Sequence, residues 1–456
     1  MAYVPHSERD RAEMLAAVGA ASVEELFATI PAALGATATP NLPQPLTEME
    51  LLAEAGRLAA ENRSLDELVC FAGGGIYDRF IPAIVTSVIS RPEFVTPYTP
   101  YQAEASQGTL QAMFEYQTMI CELTGMDVAN ASLYDGATAL AEAVLMAAGA
   151  AGRDRALLSG ALLPAARRAT RTACEAGGVE VVEVDWDDET GRTDLDRLAE
   201  MLGDDVACVA LAQPNGFGVI EEMAAAARLA HDAGALLIAM VEPISLGVLV
   251  PPGECDADIV VGEGQPLGLP PGFGGPLLGV FACREEFLRQ MPGRIVGRTV
   301  DAEGATAYCL TLQTREQHIR RGRATSNICT NQGLCALAAA VYLAALGPEG
   351  LREVATLSAQ KAHALRDVLA EAGVTQRFSG SFLSELVVRV DGPADEAVAD
   401  LCAQGYLVGP GLGRDYPELD DCLLVAATER RTRTEIEGLA AAMGRWRRSR
   451  MPEDGR

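Results

Sequence analysis

The 456-residue sequence predicts an α/β protein with a mostly parallel, doubly wound large domain, an N-terminal helical arm and a smaller C-terminal α+β domain. Three observations lead there. From Ala131 onward, short continuous apolar runs alternate with alanine-rich segments, the pattern of strands buried on both faces and connected by helices. The first seventy residues hold helix-start signals but too few apolar positions for a core of their own. Beyond about residue 345 the order changes to long helix, strand, helix, strand, helix. Domains are therefore expected at 1–70, 71–345 and 346–456.

In the arm, Ser7 with Asp10, Ser22 with Glu25, Thr47 with Glu50 and Ser64 with Glu67 are capping-box pairs. The hydroxyl accepts from the third backbone N–H and the acid reaches back. Pro31, Pro40, Pro43 and Pro45 mark turns between short helices. Such an arm either clasps another subunit or caps its own chain. Glycines 73–75 predict a tight, close-approach turn. Tyr98, Pro100 and Tyr101 predict an extended loop whose rings serve a site or an interface, or pack on the surface. Leu110, Met113, Phe114, Ile120 and Cys121 have helical spacing that ends at Gly125. Strands follow near 156 and at 179–184, 206–213, 235–241, 258–261 and 277–283. A helix near 332–345 leads into the small domain, with helices at 349–372 and 394–403, strands at 384–390 and 422–428, and a last helix ending RWRRSR.

The net charge of −27 excludes nucleic acid and anionic membranes as partners. No run approaches the roughly 20 apolar residues of a membrane span. The N-terminus carries acids and no apolar h-region, so a cytoplasmic location is expected. Eleven cysteines without a C-x-x-C or a Cys/His cluster read as small buried hydrophobes, and no metal site is expected. Arg294, Arg298, Arg315, Arg320, Arg321 and Arg323 form a positive island. It suits carboxylate or phosphate recognition, or else a solvated face paired with neighbouring acids.

The stretch Asp258 to Pro266 is a β-branched run ending in glycines, followed by the loop LGLPPGFGGP and the run LLGVFAC. Sites of open α/β sheets lie at such strand ends. Gly262 and Gly264 give a G-x-G, but Pro266, Pro270 and Pro271 cannot open the helix that a dinucleotide fingerprint requires. The stretch has no lysine, and the whole chain has one, Lys361, placed on a helical apolar stripe with Leu357 and Leu365 where its stem can snorkel.

Three long segments, YTPYQAEASQGTLQAMFEYQTMICELTGMDVANASLYDGATALAEA, GEGQPLGLPPGFGGP and LTLQTREQHIRRGRATSNICTNQ, closely resemble the glycine cleavage system P-protein. The match is to the half that some organisms make as a separate subunit 1, and it covers essentially the entire chain. This resemblance implies the aspartate-aminotransferase fold (PLP fold type I). It further implies a part in glycine dehydrogenase (aminomethyl-transferring), which decarboxylates glycine on pyridoxal phosphate (PLP) and passes the aminomethyl group to lipoyl-lysine of the H-protein.

Such chemistry needs an amine for the Schiff base. The matching position here is near Gln265, an amide. The turn corresponding to a phosphate cradle holds Asp135, Gly136 and Thr138, and Asp135 opposes an anion at that helix start. Glu242 stands where an acid pairs with a pyridinium nitrogen, or is an ordinary strand-end acid. The resemblance thus implies a subunit that holds no cofactor covalently, with PLP in a lysine-bearing subunit 2, assembled as a pseudo-symmetric heterodimer or a heterotetramer. Tyr98, Tyr101 and Gln102 would give shape and hydrogen bonds to the working site, and Arg315, His318, Arg320, Arg321 and Asn327 would tune or support it. The competing readings are a stand-alone PLP decarboxylase or aminotransferase, and a structural or regulatory pseudoenzyme outside glycine cleavage.

Overall fold

The structure is a computed structural model and describes residues 5–35 and 41–450, so the turn expected at Pro40 lies outside the described residues. The chain separates into two compact units, residues 1–63 and 64–456. The expected boundary at 70 falls within the second unit. The one at 345 falls within helix Gly333–Glu371, two residues before its break at Gly347, whose φ of 63° precedes Pro348.

The first unit has helices at Glu8–Val18 and Glu48–Ala59, each opened by a reciprocal capping box, Ser7 with Asp10 and Thr47 with Glu50. Ser22 accepts from Glu25 N–H ahead of a single 3-10 turn, Glu24–Phe27. None of the residues in these three elements is buried. Met49, Leu51, Leu52, Phe27 and Ile30 are all exposed, and none of the unit's described residues is buried in a core. The fourth pattern is different. Ser64 to Leu68 makes a tight turn rather than a helix, and the Ser64 hydroxyl accepts from Asp66. The segment is drawn instead into β1 (Val69–Phe71) just beyond it.

In the second unit, β2 (Val128–Ala129), β3 (Arg155–Ser159), β4 (Glu180–Val184), β5 (Val206–Gln213), β6 (Leu236–Val241), β7 (Ile259–Glu263) and β8 (Gly279–Cys283) form one seven-stranded sheet in the order β2-β8-β7-β6-β5-β3-β4. β8 runs antiparallel to both β7 and β2, and the other pairs are parallel. All eight residues of β5 are buried, as a strand covered on both faces requires. Helix Gly136–Ala151 packs Leu140, Val144 and Ala147 in the core of one face. Helices Gln107–Thr124, Met223–Asp232 and Gly333–Glu371 supply Tyr116, Ile120, Ala226, Ala230, Ala336 and Ala339 to the other.

An antiparallel hairpin, β9 (Ile295–Val300) with β10 (Thr306–Thr311), crosses the arginine-rich region where no strands were expected. Next come β11 (Glu385–Arg389), β12 (Tyr406–Val408) and β13 (Cys422–Ala426). β11 pairs with β13, whereas β12 pairs with β1, tying the start of the unit to its C-terminal part.

Helix Gly333–Glu371 is long and apolar enough to cross a membrane by length and composition, which corrects the expectation that no run is. Its alanines and few charges produce that signal, and its first half is core, with Ala336, Ala338, Ala339 and Tyr342 nearly inaccessible. Cys329 also departs from expectation, because it is exposed rather than buried.

Candidate functional site

The C-terminal ends of β3, β5, β6 and β7 open onto a cavity of about 370 Å³ lined by Gly73 to Ile76, Leu163, Met240, Glu263, Leu412 and Tyr416, among others. A smaller void of about 30 Å³ adjoins the same strand ends, bounded by Tyr77, Glu242, Glu263 and Glu385. This is where an open α/β sheet carries its ligand.

Gln265 lies two residues past the end of β7 and is wholly inaccessible. Its side-chain carbonyl accepts from Tyr77 N–H at 2.9 Å. Its amide donates to the Tyr77 carbonyl at 3.1 Å and to the Leu269 carbonyl at 2.6 Å. Both ends of the amide are engaged, and Gln265 staples the segment that follows the glycine triplet across the cleft.

Glu263, the last residue of β7, occupies the start of helix Gly136–Ala151. It accepts from Gly136 N–H at 2.9 Å, from Gln265 N–H at 2.9 Å and from Leu278 N–H at 3.0 Å. Burial raises its carboxyl to about 7, against the pull of those donors. Asp135 caps the same helix, accepting from Thr138 N–H at 2.8 Å and from the Thr138 hydroxyl at 2.7 Å. The helix start is pressed onto the strand, since a Cβ at Gly136 would meet the Glu263 nitrogen at 2.8 Å.

The other walls are equally committed. Tyr77 donates its hydroxyl to Glu385 at 2.9 Å, and Gly74 N–H donates to the same carboxylate. Burial raises Glu385 to about 7 and lifts the Tyr77 phenol well above its ordinary range. Glu242, one residue past the end of β6, bounds the smaller void. It accepts from Ser245 N–H at 2.8 Å and Ile244 N–H at 3.2 Å and faces the buried Arg79 guanidinium at 3.5 Å. Arg79 also pairs with Glu429 at 3.0 Å. Lys361 is half-buried, and its ammonium donates to the Glu429 carbonyl. That bond places it beside Glu429, whose carboxylate pairs with Arg79.

PLP would need an amine, free donors for its phosphate and an acid for its ring nitrogen. At the positions that the sequence resemblance assigns to these roles stand a fully bonded amide, a helix start capped by two carboxylates, and an acid facing an arginine. The residues do not fit the group.

The surface candidates lie elsewhere. Tyr98 and Tyr101 are 85% and 71% exposed, and Gln102 is exposed beside them. Tyr98 lines an open pocket of about 260 Å³ with Phe94, Met113, Asn331 and Leu334, so the tyrosine loop and the end of the 315–331 segment do come together. Arg294 bridges the loop, donating to Thr99 at 3.3 Å and lying over the Tyr101 ring.

Arg315 is a correction to the expected set. Its guanidinium donates to the carbonyls of Met291, Gly293 and Leu312, and burial lowers its pKa, so it holds backbone rather than an anion. His318 sits 3.8 Å from Glu316, Arg320 donates to the Thr314 carbonyl, and Arg321 adopts φ 54°. Arg320, Arg321 and Asn327 are exposed. Among the described residues no ion pair involves Arg294, Arg298, Arg320, Arg321 or Arg323, so this is not a face paired with neighbouring acids.

Sequence reasoning missed Tyr77, Arg79, Glu263 and Glu385. Glu263 alone carried a signal, as an acid ending an otherwise apolar strand. The others reach the cleft through contacts more than 150 residues apart in the chain.

A family model described as "Glycine cleavage system P-protein" matches residues 1–443. The probable glycine dehydrogenase (decarboxylating) subunit 1 of Moorella thermoacetica is 51% identical over 444 residues, 97% of this chain and 99% of that one. The corresponding protein of Geobacillus thermodenitrificans is 49% identical over 442 residues, 97% and 98% of the two chains. A crystal structure of glycine decarboxylase (P-protein) of the glycine cleavage system, in inhibitor-bound form, superposes with a TM-score of 0.91 at 45% identity, covering 98% of this chain and 100% of that one. A sphingosine-1-phosphate lyase of Burkholderia pseudomallei, at 16% identity and TM-score 0.64 over 91% of this chain and 94% of its own, shares the fold.

Proposed function

The chain belongs to the glycine cleavage system P-protein family, with a role in glycine cleavage, and on that premise we propose that it is the subunit of glycine dehydrogenase that does not anchor the cofactor. The observation that carries this reading is Gln265, an amide with every hydrogen-bonding group engaged at the strand end where a Schiff-base lysine would stand. Partnership is implied by the relatives' description as subunit 1. PLP then resides in subunit 2. The two subunits together decarboxylate glycine and transfer the aminomethyl group to the lipoyl-lysine of the H-protein, in the cytoplasm.

In this reading the chain contributes through its surface rather than its own cleft. The exposed Tyr98, Tyr101 and Gln102 offer rings and an amide to the partner's site. Arg320 and Arg321, with His318 and Asn327 close to them in sequence, are exposed on an otherwise acidic protein, and among the described residues neither arginine makes an ion pair. Guanidinium groups so placed attract carboxylate or phosphate, or the acidic face of a protein. The exposed apolar residues of the N-terminal unit supply the kind of surface that another subunit buries.

The test is co-expression with and without subunit 2, assaying glycine–bicarbonate exchange in the presence of H-protein. Exchange should require both chains. Exchange by this chain alone would return it to the class of self-sufficient PLP enzymes.

A further inference from the structure

Resting on the reading of this chain as the subunit that does not anchor PLP, we infer that the side-chain carboxyl of Glu263 stands where a cofactor's phosphate would otherwise sit, occupying its donors. The cleft is therefore closed to phosphate-bearing ligands, whatever residue stands at 265. The argument does not rest on the helix start alone. Three backbone N–H groups from three separate segments converge on one buried carboxylate. Gly136 begins a helix, Gln265 lies in the turn after β7, and Leu278 stands just before β8. Convergent backbone donors at a helix N-terminus are what a phosphate or a carboxylate seeks.

Here an internal side chain takes them, and it is packed rather than merely nearby. Glu263 is only 9% exposed, and its own backbone lies against Gly136. The second carboxylate, Asp135, takes the third N–H of the helix and adds like charge beside any incoming anion. A ligand phosphate would have to displace Glu263 from its donors and still face Asp135. Loss of the lysine and loss of the phosphate site are then two independent changes, and reversing the first leaves the second in force.

The experiment uses the full chain and inorganic phosphate as the probe, comparing thermal denaturation in phosphate and in chloride at matched ionic strength. The wild-type chain should show no phosphate-specific rise in midpoint. Glu263→Ala uncovers the three donors and should gain a saturable, phosphate-specific rise, with apparent affinity about tenfold or more above wild type. A folded Glu263→Ala protein that responds to phosphate no more than wild type overturns the inference, as does a wild-type chain whose phosphate response Glu263→Ala abolishes.

If Glu263→Ala folds in neither buffer, Glu263→Gln decides. It preserves the volume but replaces one accepting oxygen with a donor. A midpoint well below that of an exposed control, Glu437→Gln, supports the assignment, and an equal midpoint refutes it. Covalent retention of PLP by the wild-type chain would break the underlying reading instead, so the two failures are distinguishable.

Discussion

Replacing Gln265 with methionine keeps the side-chain volume and removes every polar contact that its side chain makes. Three hydrogen bonds are lost, one accepted from Tyr77 N–H and two donated to the Tyr77 and Leu269 carbonyls. The partners are on buried residues, Tyr77 at 3% exposure and Leu269 at 6%, so water cannot replace the lost bonds. At about 1–1.5 kcal/mol for each bond, the loss should be roughly 3–5 kcal/mol. Urea unfolding of the isolated chain measures it, followed by the fluorescence of its two tryptophans, Trp186 and Trp446. Trp186 packs on Tyr416, which lines the cavity, and so reports on the affected region. A loss below about 1 kcal/mol at unchanged slope would refute the view that Gln265 is a structural staple.

Three further predictions concern the charges. Glu385 has a folded pKa of about 7, above its ordinary unfolded value, so the folded state binds its proton more tightly. Its stabilising contribution is complete below about pH 4.5 and disappears as pH rises to about 7, by an amount on the order of 3 kcal/mol. Measured as wild type minus Glu385→Gln, stability should therefore fall with rising pH across that window, and a flat difference would reject the burial argument. Arg79→Met strands Glu242 and Glu429 opposite a neutral side chain, and denaturation should show a loss of about 3–5 kcal/mol. Arg320→Ala combined with Arg321→Ala should leave the fold intact, because both side chains are exposed, yet lower the activity of the assembled enzyme. Unchanged glycine kinetics together with unchanged assembly would remove both residues from the site.

The sheet was legible because its strands carry their own signal. The runs at 206–213 and 235–241 are continuous and apolar, and each became a strand within a residue of the expected bounds. The break at Gly347 falls between the helices expected at 332–345 and 349–372. The hairpin of β9 and β10 was obscured by its charges. Arg298 lies on its half-exposed strand, where polar residues erase the apolar pattern.

At the cleft, Gln265 and Asp135 could be marked because the absence of lysine and the presence of an acid are local facts. That Glu263 rather than Asp135 takes the Gly136 N–H is not local, because it depends on β7 ending against a helix 127 residues earlier in the chain. Arg315 was misread for the same reason. Nothing adjacent in sequence indicates that the carbonyls of Met291 and Gly293 lie within its reach.

The central claim concerns what the cleft can hold, and incubation of the isolated chain with pyridoxal phosphate, followed by borohydride reduction and intact mass measurement, tests it most directly. The mass should remain that of the unmodified chain, while subunit 2 treated in parallel gains one reduced cofactor. A stoichiometric adduct on this chain, accompanied by turnover of glycine in the absence of its partner, would contradict the account.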